Sequence, residues 1–167
     1  AVVARDAKRY DAQSLLAHTY VQRQQWRLAV GAFDAYFAAR PAALASADAV
    51  ARVEHAAALL RSRLPGAVRR AEKMFHDLRA EPSVARRAAL GEAWAAAAHD
   101  CKAARALLAP LIVRERDIAE PLLVDGQCAL ALGDYETAQR RGRDYLARAS
   151  REGPLAAHAP SAAAGHA

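Results

Sequence analysis

The chain has 167 residues, of which 54% are hydrophobic and 25% charged, and its 24 Lys and Arg against 18 Asp and Glu give a formal net charge of +6. That length and apolar content suffice to bury one core, and nothing in them demands a second domain. The longest apolar stretch, Ala103 to Val113, is cut by Arg105 and Pro110. It falls far short of the roughly 20 residues a membrane span needs, so no membrane insertion of this segment is expected. Alanine dominates the apolar set and β-branched runs are few, which predicts an all-α fold.

Residues 1–10 (AVVARDAKRY) read as the last turn of a helix followed by a polar turn, the end of a truncated preceding unit or a linker. No signal peptide opens the chain and Ala1 is not an initiator methionine, so the sequence reads as mature, trimmed or excised. A helix is predicted from about Asp11 to Gln22, with Leu15, Leu16 and Tyr20 on an apolar face and Ala17 as a small contact. Arg23-Gln24-Gln25 makes a turn. The next helix, Trp26 to Ala39, is stopped by Arg40-Pro41 because proline removes an amide donor.

In the second unit, residues 47–82, Val53, Ala57, Leu60 and Leu64 form a helical stripe, Pro65-Gly66 turns the chain, and Phe75 follows Ala71 by one turn. The third, residues 83–116, opens with Ser83 as a cap, carries Leu90-Gly91-x-x-Trp94 and turns at His99-Asp100, where Asp100 is placed to cap the next helix. Pro110 should kink or shorten that helix. The fourth, residues 117–150, begins with Asp117 and Glu120 at capping-box spacing and Pro121 in the first helical turn. Gly133 is placed to end its first helix in a left-handed conformation, Asp134 to cap its second, and Tyr135 to pack back into the hairpin. Residues 151–167 hold no large apolar side chain after Leu155 and read as a flexible Ala/Pro/Gly tail or a linker.

Leu16-Ala17-x-x-Tyr20, Trp26, Ala29-x-x-x-Phe33 and Pro41 fall at the spacings of one helix-turn-helix repeat. Ala29, Ala71, Ala104 and Ala138 are its recurring small residues; the last two intervals match a period of roughly 34 residues, and the first is about eight longer, with the excess in 42–50. The chain thus resembles the tetratricopeptide repeat family in about four units over residues 11–150. The resemblance implies a right-handed superhelical array of antiparallel helix hairpins, with a concave groove lined by the first helix of each unit and holding an extended peptide or a helix of a partner. Carried over position by position, the groove residues are Asp11, Ser14, His18 and Gln22, then Arg63, Arg86, Glu120 and Gln127; Leu123 fits either groove or core. Gly142 departs from the family, which usually has a large residue there, so something should pack close to it.

No catalytic constellation stands out. His99, Asp100 and Cys101 are consecutive around a helix start and cannot easily converge, and Glu54-His55 and His76-Asp77 are likewise adjacent. No two histidines are spaced i, i+4, there is no glycine-rich phosphate loop, and neither a metal nor a cofactor is expected. Cys101 and Cys128 would fall at nearly the same height on antiparallel helices, as two buried hydrophobes or a disulfide.

The leading functional expectation is a protein-interaction scaffold with a protein or peptide partner and no enzymatic activity of its own. Alanine and arginine richness suggests a GC-rich bacterial genome, and arrays of this style resemble those in envelope, secretion and exopolysaccharide export assemblies, which leans the localisation toward the periplasm or cell envelope. The alternative is binding of an anionic polymer such as nucleic acid through Arg61, Arg63, Arg69, Arg70, Arg86, Arg87, Arg140, Arg141 and Arg143. Homodimerisation through the uncovered ends of the array is a further expectation.

Overall fold

A computed structural model describes residues 2–39, 48–116 and 118–152, with backbone alone for 2–11 and 151–152. Among these residues there are eight helices and no strand: α1 (Val2–Gln22), α2 (Trp26–Ala39), α3 (Ala49–Ser62), α4 (Ala67–Leu78), α5 (Ala85–Ala97), α6 (Cys101–Arg114), α7 (Glu120–Ala131) and α8 (Tyr135–Glu152). The expected all-α architecture is therefore present. The chain divides into two compact units, the first ending at His99 and the second beginning at Asp100. The two helices of the expected third hairpin, α5 and α6, thus belong to different units.

In the first unit, each helix packs on the next in sequence, and α3 also touches both α1 and α5. Contacts that skip a helix run only between odd-numbered helices among its described residues. Small side chains make this possible: Ala17, Ala29, Ala56, Ala58, Ala71, Ala88 and Ala95 are fully enclosed, so neighbouring backbones approach closely around a few large residues, chiefly Phe33, Phe75 and Leu78. In the second unit α7 packs on both α6 and α8, over Ala104, Leu108, Leu122, Val124 and Cys128.

The connections follow from local chemistry. Gly133 has φ +77° and Gly66 φ +71°, both in the left-handed region, where glycine pays no Cβ penalty. Asp100 accepts hydrogen bonds at 3.0 Å from the Lys102 and Ala103 amides, and Asp134 accepts one at 3.2 Å from the Thr137 amide. Both were legible as caps. The Thr137 amide holds the Asp134 carboxyl below the usual carboxylate range, helped by Arg105. Pro121 lies in the first turn of α7, where a missing N–H orphans nothing.

Several expectations are corrected. No polar turn precedes Asp11, because α1 runs unbroken from Val2 and residues 2–10 contain neither Gly nor Pro to stop it. α6 is not shortened at Pro110 and continues to Arg114. α5 is capped at Val84, buried in the core, instead of at Ser83, and α7 at Ala119; Asp117, the expected cap of α7, lies outside the described residues. Tyr135 is 70% exposed and does not pack back into its hairpin. A Cβ on Gly142 would meet nothing within 4 Å. The close approach of α7 and α8 falls at Gly126, where a Cβ would lie 3.2 Å from Arg141 Cβ and 3.8 Å from the Ala138 carbonyl oxygen. The expected tail beyond residue 152 lies outside the described residues.

Candidate functional site

The odd-numbered helices of the first unit lie side by side, and their packing is set by which faces they bury. On α3 the enclosed positions are Ala49, Ala51, Val53, His55, Ala56, Ala58, Leu59 and Ser62, and of the predicted stripe Val53 is enclosed while Ala57, Leu60 and Leu64 are partly buried against the core. On α5 they include Ala88, Glu92, Ala95 and Ala96, and on α7 Leu122, Asp125, Cys128 and Ala129. Each of these helices therefore encloses an ionisable side chain, His55 on α3, Glu92 on α5 and Asp125 on α7.

His55 is sandwiched against α2, its ring stacked at 5.4 Å on Phe33 and 5.6 Å on Phe37. Its Nε2 lies 3.3 Å from Asp34 Oδ1, and Asp34 in turn accepts hydrogen bonds from Arg70 on α4. Burial pushes the His55 pKa down to about 4, outweighing the nearby Asp34 and assisted by the Arg70 charge. Glu92 accepts a hydrogen bond from Arg79 Nη1 at 3.0 Å and lies 2.9 Å from His76 Nδ1. In the second unit, Asp125 bonds Arg105 Nε at 2.9 Å and Arg141 Nε at 2.6 Å, and Arg105 also reaches Asp134 at 3.2 Å. Burial opposes the charge on Arg105, but these two carboxylates outweigh it and raise its pKa. These clusters tie helices together. They hold no free nucleophile beside a base, and no group of three or more His, Cys, Asp or Glu among the described residues could hold a metal.

The predicted groove residues divide between the units. Ser14, His18 and Gln22 follow one another at helical spacing on α1, half-buried or exposed; Asp11 is on the same helix with its side chain outside the described residues. His18 spans to α3, its Nδ1 2.6 Å from Glu54 Oε2 and its ring edge-on to Phe33 at 5.9 Å. This brings the expected groove residue His18 onto the line between α1 and α3. Arg63 follows α3 as its C-cap with φ +56°, exposed in the turn into Pro65-Gly66. Arg86 is exposed near the start of α5. Glu120 opens α7 and Gln127 is exposed on it, both in the second unit.

Leu15 and Leu16, predicted to face the core, are 69% and 39% exposed. The contact with α2 centres instead on Ala17, with Tyr20 and Val21 packed beside it, so the leucines flank the buried stripe. Leu15 shares a face with His18 and Gln22 at i, i+3 and i+7. Sequence reasoning missed Leu15 and Glu54 as surface components; the place of Leu15 follows from its helical spacing to the enclosed Ala17, whereas that of Glu54 depends on how α3 is turned.

The arginines are mostly occupied. Arg61 lies over the Trp26 ring, 5.0 Å from its centroid, and burial lowers its pKa. Arg70 and Arg141 hold internal carboxylates, while Arg140 and Arg143 bond Thr137 and Gln139 along their own helix. A shallow depression on α8, lined by Glu136, Gln139, Arg140, Arg143 and Asp144, mixes both charge signs. No helix among the described residues is long and apolar enough to cross a membrane. No family model, curated protein or solved structure matches the chain.

Proposed function

We propose that this chain is an interaction scaffold of the tetratricopeptide type, a right-handed array of helix hairpins that receives an extended peptide or a helix of a partner protein. The docking surface is the one formed by α1, α3 and α5, with Ser14, Leu15, His18, Gln22 and Glu54 as its first contacts. One observation carries this reading: skipping contacts in the first unit run only between odd-numbered helices. Helices arranged this way present a continuous face, and here that face mixes the exposed apolar Leu15 with polar side chains, as peptide recognition requires. Binding an anionic polymer is the weaker reading, because Arg61, Arg70 and Arg141 are engaged by Trp26, Asp34 and Asp125 rather than free to meet phosphates.

The test is capture from native extract with the chain as bait, with and without nuclease treatment, at low and high salt, beside a Leu15→Glu variant of unchanged helicity. A protein retained by the wild type at high salt and lost by the variant supports the proposal. Recovery of nucleic acid alone, lost at high salt, overturns it.

A further inference from the structure

The second unit holds a pair of thiols whose placement is fixed by a neighbouring contact. Arg105 on α6 donates to Asp125 on α7 at 2.9 Å. Cys101 lies one turn before Arg105, and Cys128 one turn after Asp125. On antiparallel helices those steps run in the same direction, so Cys101 and Cys128 face each other as Arg105 and Asp125 do. The two thiols are close enough to interact, and neither is in a disulfide. Cys128 is 1% exposed, whereas Cys101 is half-buried at the first position of α6, beside the capping Asp100.

We propose that Cys101 and Cys128 form a redox site that closes to an intramolecular disulfide when the chain meets a low-molecular-weight or protein disulfide. Cys101 loses its proton to water, and its thiolate attacks one sulfur of the incoming disulfide, which releases a first thiolate and leaves a mixed disulfide on Cys101. Cys128 then loses its proton and its sulfur attacks the Cys101 sulfur. A second thiolate leaves, and both leaving groups take up protons. The incoming disulfide is reduced to two thiols as the two cysteines are oxidised, so atoms and electrons balance.

The order follows from access. Burial pushes the Cys128 thiol up to about 12, with the Cys101 hydrogen bond and the Asp125 charge adding to it and Arg105 opposing. Cys128 is thus a poor first nucleophile at neutral pH and resolves only a bond already formed beside it. The closed disulfide would staple the start of α6 to the far end of α7.

The experiment treats the full chain with oxidised glutathione and measures free thiols, intact mass and non-reducing electrophoretic mobility, then repeats after dithiothreitol. The expected product is a monomer lighter by two hydrogens with no reactive thiol, whose thermal midpoint lies roughly 5–15 °C above that of the reduced chain and returns on reduction. In Cys128→Ala, Cys101 should instead keep a glutathione adduct. A stable adduct on Cys101 of the wild type, a disulfide-linked dimer, or two thiols that persist would each overturn the proposal. If Cys128→Ala does not fold, the mass and thiol count of the wild type decide the matter alone.

Discussion

A Cβ placed on Gly91 would fall inside the edge of the Phe75 ring, against Cε1. The contact explains both residues at once. Phe75 is enclosed between α4 and α5, and α5 can approach that closely only where it has no side chain. Gly91→Ala should therefore destabilise the chain by about 1–3 kcal/mol through overpacking. Phe75→Leu, which withdraws the ring edge, should recover part of that loss in the double variant. Urea unfolding of the two single variants and the pair measures the coupling. Additive losses would show that the two residues do not share one space.

The clearest test of the second unit is Asp125. Its carboxylate is enclosed and bonded to Arg105 and Arg141, and through Arg105 to Asp134. Removing one member of a buried ionic set costs about 3–5 kcal/mol. Both guanidinium groups here keep about a quarter to a third of their surface in water and can be solvated there, so Asp125→Ala is expected at the lower end, roughly 2–3 kcal/mol. Arg105→Lys should also lose stability, because an ammonium cannot serve Asp125 and Asp134 from one planar fork. Denaturant midpoints of the two variants check this; an unchanged midpoint in Asp125→Ala would remove the cluster from any structural role.

These clusters also mark where sequence reading stopped. The helix ends were legible because their chemistry is local: Gly133 in the left-handed region, Asp100 and Asp134 bonded to the amides ahead of them, Pro121 in a first turn. Helix rotation was not. Alanine appears on every face of α3 and α5, so the apolar periodicity is weak, and the residues that fix the buried faces, His55, Glu92 and Asp125, are ones a hydropathy pattern assigns to solvent. Their partners lie on other helices. That is why His55 and Ser62 were not foreseen among the enclosed positions of α3, whose predicted stripe of Val53, Ala57, Leu60 and Leu64 lies in or against the core. That Ser14, His18 and Gln22 share one face of α1 was legible because it needs only the spacing of that helix; the contact of His18 with Glu54 was not, since it depends on how α3 is turned.

Arg63 yields a prediction that separates conformation from recognition. As a C-cap at φ +56° it occupies a backbone region that favours glycine. Arg63→Gly should stabilise the chain by up to about 1 kcal/mol. The same change should leave partner capture intact, because Arg63 caps the end of α3 and is not among the contacts proposed for the partner. A rise in thermal midpoint with unchanged retention at high salt is the expected result. Loss of the partner would return Arg63 to the binding surface.

The buried histidine gives the pH dependence. The His55 pKa is about 4 in the folded chain against 6.5 for an ordinary histidine, with burial as the main cause. A group whose folded pKa is lowered contributes stability above the unfolded value and loses it as pH falls through the folded one. Folding should accordingly weaken from pH 6.5 down to about 4, by on the order of 3 kcal/mol at the lower end. Acid acts on the whole chain, so the informative quantity is a difference. In His55→Phe, a ring of similar size still stacks on Phe33 and Phe37 but carries no proton. The wild type should lose stability relative to this variant between those pH values, and the two curves should run parallel above neutrality. Curves that stay parallel throughout the acid range would mean that His55 accepts its proton in the folded chain as readily as in the unfolded one, and that the Asp34 carboxylate, 3.3 Å away, offsets the burial in full.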